Sequence, residues 1–160
     1  MTIKVGDTLP SVTFMNMGPD GPIPLATKDI FAGKRIALFS VPGAFTPTCS
    51  AQHLPGFVKD AGALRAKGID SIACVSVNDV FVMDAWGRDQ KVGDDVVMLA
   101  DGNASFADEI GLGLDGTGFG MGKRAQRYAM VVNDGVVEHL FTEEPGEFVV
   151  SSSQYMLDAL

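Results

Sequence analysis

Residues 35–50 read Arg35-Ile36-Ala37-Leu38-Phe39-Ser40-Val41-Pro42-Gly43-Ala44-Phe45-Thr46-Pro47-Thr48-Cys49-Ser50, with His53 close behind. Arg35 to Phe39 is an apolar run of strand length, the mark of a strand buried inside a sheet. Beyond the cysteine, Leu54, Phe57, Val58, Ala61 and Leu64 recur at the three- and four-residue steps that line one face of a helix. The chain therefore leaves a strand, turns through two prolines and a glycine, and sets Cys49 at or near the first turn of a helix. Backbone N–H groups there have no partner within the helix, and the helix dipole adds partial positive charge, so an anion is favoured. A thiol so placed loses its proton more readily and becomes a nucleophile. Thr46, three residues earlier, can donate to a sulfur and accept from a substrate oxygen. Pro42 and Pro47 fix φ and stiffen the turn, as a preorganised site requires. The plainer alternative is a small buried apolar cysteine. The Thr, Ser and Pro around Cys49 favour the reactive reading.

Pro42-x-x-x-Thr46-x-x-Cys49 resembles the signature of the peroxiredoxins, thiol peroxidases of thioredoxin-like fold. The longer string from Pro42 to Ser50, followed by His53-Leu54-Pro55-Gly56-Phe57, is similar to the type II, peroxiredoxin-5-like subfamily. The likeness runs on through Cys74-Val75-Ser76-Val77-Asn78-Asp79, Trp86-Gly87 and Arg127-Tyr128-Ala129-Met130-Val131-Val132. Several long matches in one order are far more specific than a four-position motif. The resemblance implies that Cys49 attacks hydrogen peroxide or an alkyl hydroperoxide and becomes a sulfenic acid. It implies that Thr46, the Thr48 backbone and Pro42 hold or shield the peroxide, and that Arg127 supplies positive charge. From its residues alone Arg127 reads as a solvated charge at a strand end.

Length and composition set the frame for this site. The chain has 160 residues, 46% of them hydrophobic and 20% charged, with twelve basic against twenty acidic side chains and a net charge of −8. That suits one domain over 1–160, able to bury roughly two-thirds of its unfolded surface. An acidic balance without a basic cluster argues against nucleic acid or an anionic membrane as partner. No apolar run approaches the roughly 20 residues of a bilayer span. Met1 to Asp7 lacks the charged start and apolar core of a signal peptide. Two cysteines make no disulfide framework, so a reducing compartment, the cytosol, is expected.

In chain order, Ser11 to Met15 alternates like an edge strand, and Gly18 to Pro22 reads as a turn. Asp29 to Lys34 forms a short helical turn. The Cys49 helix should stop at Gly68 and bend at Pro55. Ile69 to Val77 is a second buried strand, Val80 to Lys91 a helix, Val96 to Leu99 a strand, and Asn103 to Ile110 a helix capped by Asn103. Gly111-Leu112-Gly113-Leu114-Asp115-Gly116 fits a dinucleotide pattern but follows a helix rather than a strand. With Gly118 to Lys123 it reads as one flexible glycine loop. Arg127 to Val132 and Val136 to Phe141 form a hairpin across Asn133-Asp134-Gly135. Ser151 to Leu160 is a helix with serine caps. Strands alternating with helices, then a hairpin, give an α/β fold with a mixed central sheet flanked by helices; the resemblance selects the thioredoxin-like version.

Cys74 lies in a strand apolar on both faces, which favours an inert core thiol. Its alternative role is a resolving cysteine, which needs Cα atoms within roughly 7 Å of Cys49 and local unwinding of the helix. Some relatives carry a resolving cysteine near the C-terminus, but Val149 to Ser153 has none. An external thiol, whether glutathione, glutaredoxin or thioredoxin, is therefore the expected reductant. His53 reads as structural or as a support behind the groups that touch the sulfur, since a thiolate already formed needs no base. Two His and two Cys without paired spacing give no metal ligand set, and no cofactor is expected. Phe45 and Phe119, apolar residues in turns, suit a partner surface, which fits the family's habit of forming a homodimer near the active site. A thioredoxin-type reductase is disfavoured by Thr46, which stands where such an enzyme has its first cysteine. A redox sensor or holdase differs in being oxidised once without turnover.

Overall fold

The computed structural model describes residues 2–160. Its core is a seven-stranded mixed sheet. The strands in chain order are β1 (Thr13–Gly18), β2 (Gly21–Ala26), β3 (Arg35–Ser40), β4 (Ser71–Ser76), β5 (Val97–Ala100), then β8 (Tyr128–Asn133) and β9 (Val136–Thr142). Across the sheet they run β2-β1-β5-β4-β3-β8-β9. The central β3, β4 and β5 are parallel, whereas β1 and β8 join them antiparallel. Short β6 (Gly113–Asp115) and β7 (Lys123–Ala125) form a separate ribbon.

Side chains of β3 alternate between two cores, as a period of two demands. Ala37 and Phe39 face one cluster with Leu54, Phe57, Cys74, Trp86 and Met156. Ile36 and Leu38 face the other with Phe14, Phe31, Phe106 and Val132. Both faces are covered, which is why β3 and β4 read as unbroken apolar runs. Cys49 belongs to the first cluster and is fully buried.

Helices α4 (Val80–Asp89) and α6 (Ser153–Ala159) lie where the sequence places them, whereas α1 (Thr27–Phe31) starts two residues before the expected Asp29 and stops short of Lys34. Asp79 caps α4 by accepting from Val82 N, and Ser152 caps α6 by accepting from Tyr155 N. The Asp134-Gly135 corner of the β8–β9 hairpin has φ of 49° and 80°, the left-handed pair a tight two-residue turn needs.

Four expectations are corrected. Strand β1 is not at the edge; it lies between β5 and the unforeseen β2, whose Pro22 and Pro24 are tolerated because β2 itself is the edge. The Cys49 helix is not one bent rod. A π-helical turn, Cys49–His53, leads into α2 (Leu54–Lys59) and then, past Asp60, α3 (Ala61–Ala66). Pro55 has no N–H for the carbonyl four residues back, and the Leu54 N–H instead closes a wider ring onto Cys49 O. Gly68 at φ +92° does end this run. Helix α5 (Ser105–Glu109) is capped not by Asn103 but by buried Asp101, whose carboxylate accepts from Phe106 N (3.1 Å) and Ala107 N (3.0 Å). The glycine loop is ordered by the β6–β7 pairing and a 3₁₀ turn, Thr117–Phe119.

Candidate active site

The strand β3 delivers the chain to the site, and hydrogen bonds fix the turn that follows. Val41 N bonds to Val75 O (3.2 Å), Ser76 Oγ lies 3.0 Å from Val41 O, and Asn78 Oδ1 accepts from Ala44 N (3.0 Å). Gly43 is packed so closely that a Cβ there would lie 3.1 Å from Thr46 Cγ2 and 3.3 Å from Arg124 Nη1. Helical backbone opens at Pro47, a position where a missing N–H costs nothing. Ser50 N reaches Thr46 O at 2.9 Å, and helix geometry leaves the earlier N–H groups, Thr48 and Cys49 among them, directed out of the first turn. Cys49 thus occupies the first turn, as its sequence context implies.

Thr46 Oγ1 donates to Gly43 O at 2.6 Å. With its proton committed there, the hydroxyl presents lone pairs and serves as an acceptor. Pro42, Thr46 and Thr48, on the turn that leads to the buried Cys49, are half-buried. Trp86, fully buried on α4, donates Nε1–H to Ser50 Oγ at 3.0 Å and ties that helix to the residue after Cys49.

Arg127 reaches the sulfur through sheet register. Strand β8 pairs with β3 so that Tyr128 faces Ser40, and Arg127, one residue earlier, lies beside the end of β3 from which the Cys49 turn departs. Its Nη2 donates to Cys49 Sγ at 3.0 Å, and its Nη1 donates to His53 Nδ1 at 2.8 Å. The solvated-charge reading is therefore wrong, because the guanidinium is spent on the cysteine and its neighbour.

His53 takes the supporting role that its sequence position leaves open beside a structural one. Its Nε2 lies 2.9 Å from Ser151 O, which can only accept, so Nε2 carries the ring proton and Nδ1 is free to accept from Arg127. Burial, and then the Arg127 charge, lower its pKa to about 3, against the opposing pull of the Ser151 carbonyl. The ring stays neutral and keeps one tautomer. Phe148 covers this pair, 4.9 Å from the His53 ring and 5.8 Å from the Arg127 guanidinium carbon. Arg124 does not touch the sulfur; it binds Met121 O (2.9 Å) and Val77 O (3.2 Å) and braces the β6–β7 ribbon against the site.

Cys74 lies on β4 opposite Phe39 of β3 and Met98 of β5, fully buried. Burial pushes its thiol pKa well up, the neighbouring Cys49 adds to this, and Arg127 offsets part of it. No thiolate is held ready there. A groove of about 380 Å³ lined by Asn16, Asp84, Arg88 and Met98 contains none of the residues around Cys49.

Comparison with known proteins places this cysteine, threonine and arginine in a family. The Redoxin family profile matches residues 4–157. Peroxiredoxin-2E, chloroplastic, of Arabidopsis thaliana is 50% identical over 99% of this chain and 70% of its own length. The chain belongs to the type II peroxiredoxins. Reduced Prx3 of Vibrio vulnificus in complex with hydrogen peroxide superposes with a TM-score of 0.95 at 49% identity, covering 99% of both chains. The 1-Cys peroxiredoxin of Plasmodium falciparum gives 0.91 at 28% identity over 98% of both. As a peroxiredoxin, the chain is a thiol-dependent peroxidase of thioredoxin-like fold. Sequence reading undervalued His53 and missed Glu143, Phe148 and Ser151 around it. Only the four-residue step from Cys49 to His53, about one helical turn, hinted at any of these.

Proposed function

We propose that Cys49 is the peroxidatic cysteine of a one-cysteine enzyme, on the strength of one observation above the rest: the Arg127 Nη2 contact with Cys49 Sγ at 3.0 Å. A fixed guanidinium stabilises the charge that passes from the sulfur to the peroxide oxygens during attack. The thiolate attacks the terminal peroxide oxygen along the O–O axis, and the sulfur lone pair forms the new S–O bond. The O–O bond breaks, and its electron pair leaves on hydroxide or alkoxide, which takes a proton to become water or alcohol. Thr46 Oγ1 accepts the peroxide O–H, the Thr48 and Cys49 N–H groups orient it, and Pro42 keeps bulk water from the sulfur. Cys49 is left as a sulfenic acid. An external thiol then condenses with it, releasing water, and a second thiol displaces Cys49 from the mixed disulfide.

Burial of Cys74 in a central strand supports an external reductant over an internal one, as does the 1-Cys relative named above. Glutathione, glutaredoxin or thioredoxin would serve. Phe45 and Phe119, 51% and 88% exposed, support a homodimer formed through this rim, and two free thiols suit a reducing compartment such as the cytosol. Peroxide consumption with excess reductant tests the scheme: wild type and Cys74→Ser turn over, and Cys49→Ser does not. Intact mass after peroxide should show added oxygen, or a glutathione adduct when that thiol is present. Loss of two hydrogens, the sign of a Cys49–Cys74 disulfide, would overturn the one-cysteine reading.

A further inference from the structure

We infer that Glu143 is a positioning residue of the peroxide site: it pins the 149–151 strap, whose Ser151 carbonyl sets the His53 ring and, through it, the Arg127 guanidinium on Cys49. This rests on the roles proposed above for Cys49 and Arg127 and extends them outward.

The chain of contacts is continuous. Glu143, at the end of β9, is buried, and its Oε2 accepts from Val149 N (2.7 Å), Ser151 N (2.9 Å) and Ser151 Oγ (2.6 Å). Three donors converge on one oxygen, so the strap is folded back on the carboxylate. Ser151 O then faces His53 Nε2 at 2.9 Å, His53 Nδ1 faces Arg127 Nη1 at 2.8 Å, and Arg127 Nη2 faces Cys49 Sγ at 3.0 Å. Glu143 N also donates to Arg127 O at 3.1 Å, so the anchor and the arginine share one backbone connection. The strap carries Phe148 as well, which lies over both His53 and Arg127.

Without the carboxylate, two backbone N–H groups and a hydroxyl lose their partner and the strap has no reason to keep this path. The Ser151 carbonyl would leave His53, which could then take the other tautomer or a proton. Either change gives Nδ1 a hydrogen and turns it from acceptor to donor, facing Arg127 in opposition. The groups around His53 are Arg127 from the start of β8, Cys49 on its own turn, and the uncharged rings of Phe39, Phe57 and Phe148. Among the described residues no carboxylate contacts His53, so charging it weakens the hold on Arg127. Burial opposes ionising Glu143, but the bonds from Ser151, Val150 and Val149 outweigh it and hold the carboxyl below its usual range. The anchor is therefore charged at neutral pH.

The test uses reduced, ¹⁵N-labelled full-length protein, comparing wild type with Glu143→Ala and Ser151→Ala. Imidazole ¹⁵N spectra of wild-type His53 should show the Nε2–H tautomer unchanged from pH 8 to pH 5. In Glu143→Ala, His53 should titrate between pH 5 and 7, and the single-turnover rate constant with hydrogen peroxide should fall about tenfold at pH 5.5 and less at pH 8. Ser151→Ala, which removes one of the three bonds, should show the same change in smaller measure and decides the matter if Glu143→Ala fails to fold. A folded Glu143→Ala whose His53 keeps the wild-type tautomer and titration overturns the inference, as does an equal loss of rate at every pH. The His53 spectra need no turnover, so a wild type that fails to reduce peroxide would refute the proposed function without deciding this point.

Discussion

Acid should destabilise this protein through His53, by an amount that follows from its burial. The folded pKa of about 3 lies below the ordinary imidazole value of 6.5, so between these values the unfolded chain binds the extra proton. Stability is then fully present above pH 6.5 and is lost as pH falls toward 3. The gap corresponds to roughly 5 kcal/mol at full development, of which about 2.5 kcal/mol is lost between pH 7 and pH 4.5. For a domain of this size that is about 5–10 °C in Tm. Glu143, whose pKa is lowered, works in the same direction, whereas Asp101, raised first by burial, works in the opposite one. A His53→Gln variant retains both, so the difference in slope isolates the histidine. Urea unfolding at pH 7 and pH 4.5 should show wild type losing about 2.5 kcal/mol more than the variant. Parallel losses within about 0.5 kcal/mol would refute a His53 held neutral by its surroundings.

Two further outcomes are expected. Arg127→Lys replaces a fork that serves Cys49 and His53 together with a single ammonium, so the rate constant for peroxide should fall about 100-fold. The single tryptophan, bonded to Ser50 beside Cys49, reports it by stopped-flow fluorescence; a rate near wild type would show that one donor suffices. Asp101→Ala strips the cap from α5 and leaves the Phe106 and Ala107 N–H groups buried without their acceptor, a loss of roughly 2–3 kcal/mol by urea unfolding. An unchanged midpoint would remove Asp101 from the account of that helix.

The sequence was most legible where one local rule acts alone. The apolar run of β3, the Asp134-Gly135 turn, the Gly68 stop and the Ser152 cap each rest on a few adjacent residues. Edge strand β2 was hidden by Pro22 and Pro24, which count against a strand unless its place at the margin of the sheet is known. The α5 cap was misread because Ala104 takes a left-handed conformation, φ 59°, that sends the Asp101 carboxylate to the helix N–H groups instead of Asn103. Cys49 was legible from its turn. Its partner was not, because Arg127 meets the sulfur only through the long-range pairing of Ser40 with Tyr128. Family likeness supplied that arginine before the register could explain it. The Glu143 anchor had no local signature, since a Glu eight residues before a Ser is an ordinary spacing.

The most direct measurement oxidises the reduced protein with one equivalent of hydrogen peroxide, traps it with a reagent selective for sulfenic acid, and maps the adduct by peptide mass. The label should fall on Cys49 alone, and Arg127→Lys should form it more slowly at the same pH. Label on Cys74, or peroxide consumed at an undiminished rate after Cys49→Ser, would contradict an enzyme built around one arginine-held sulfur.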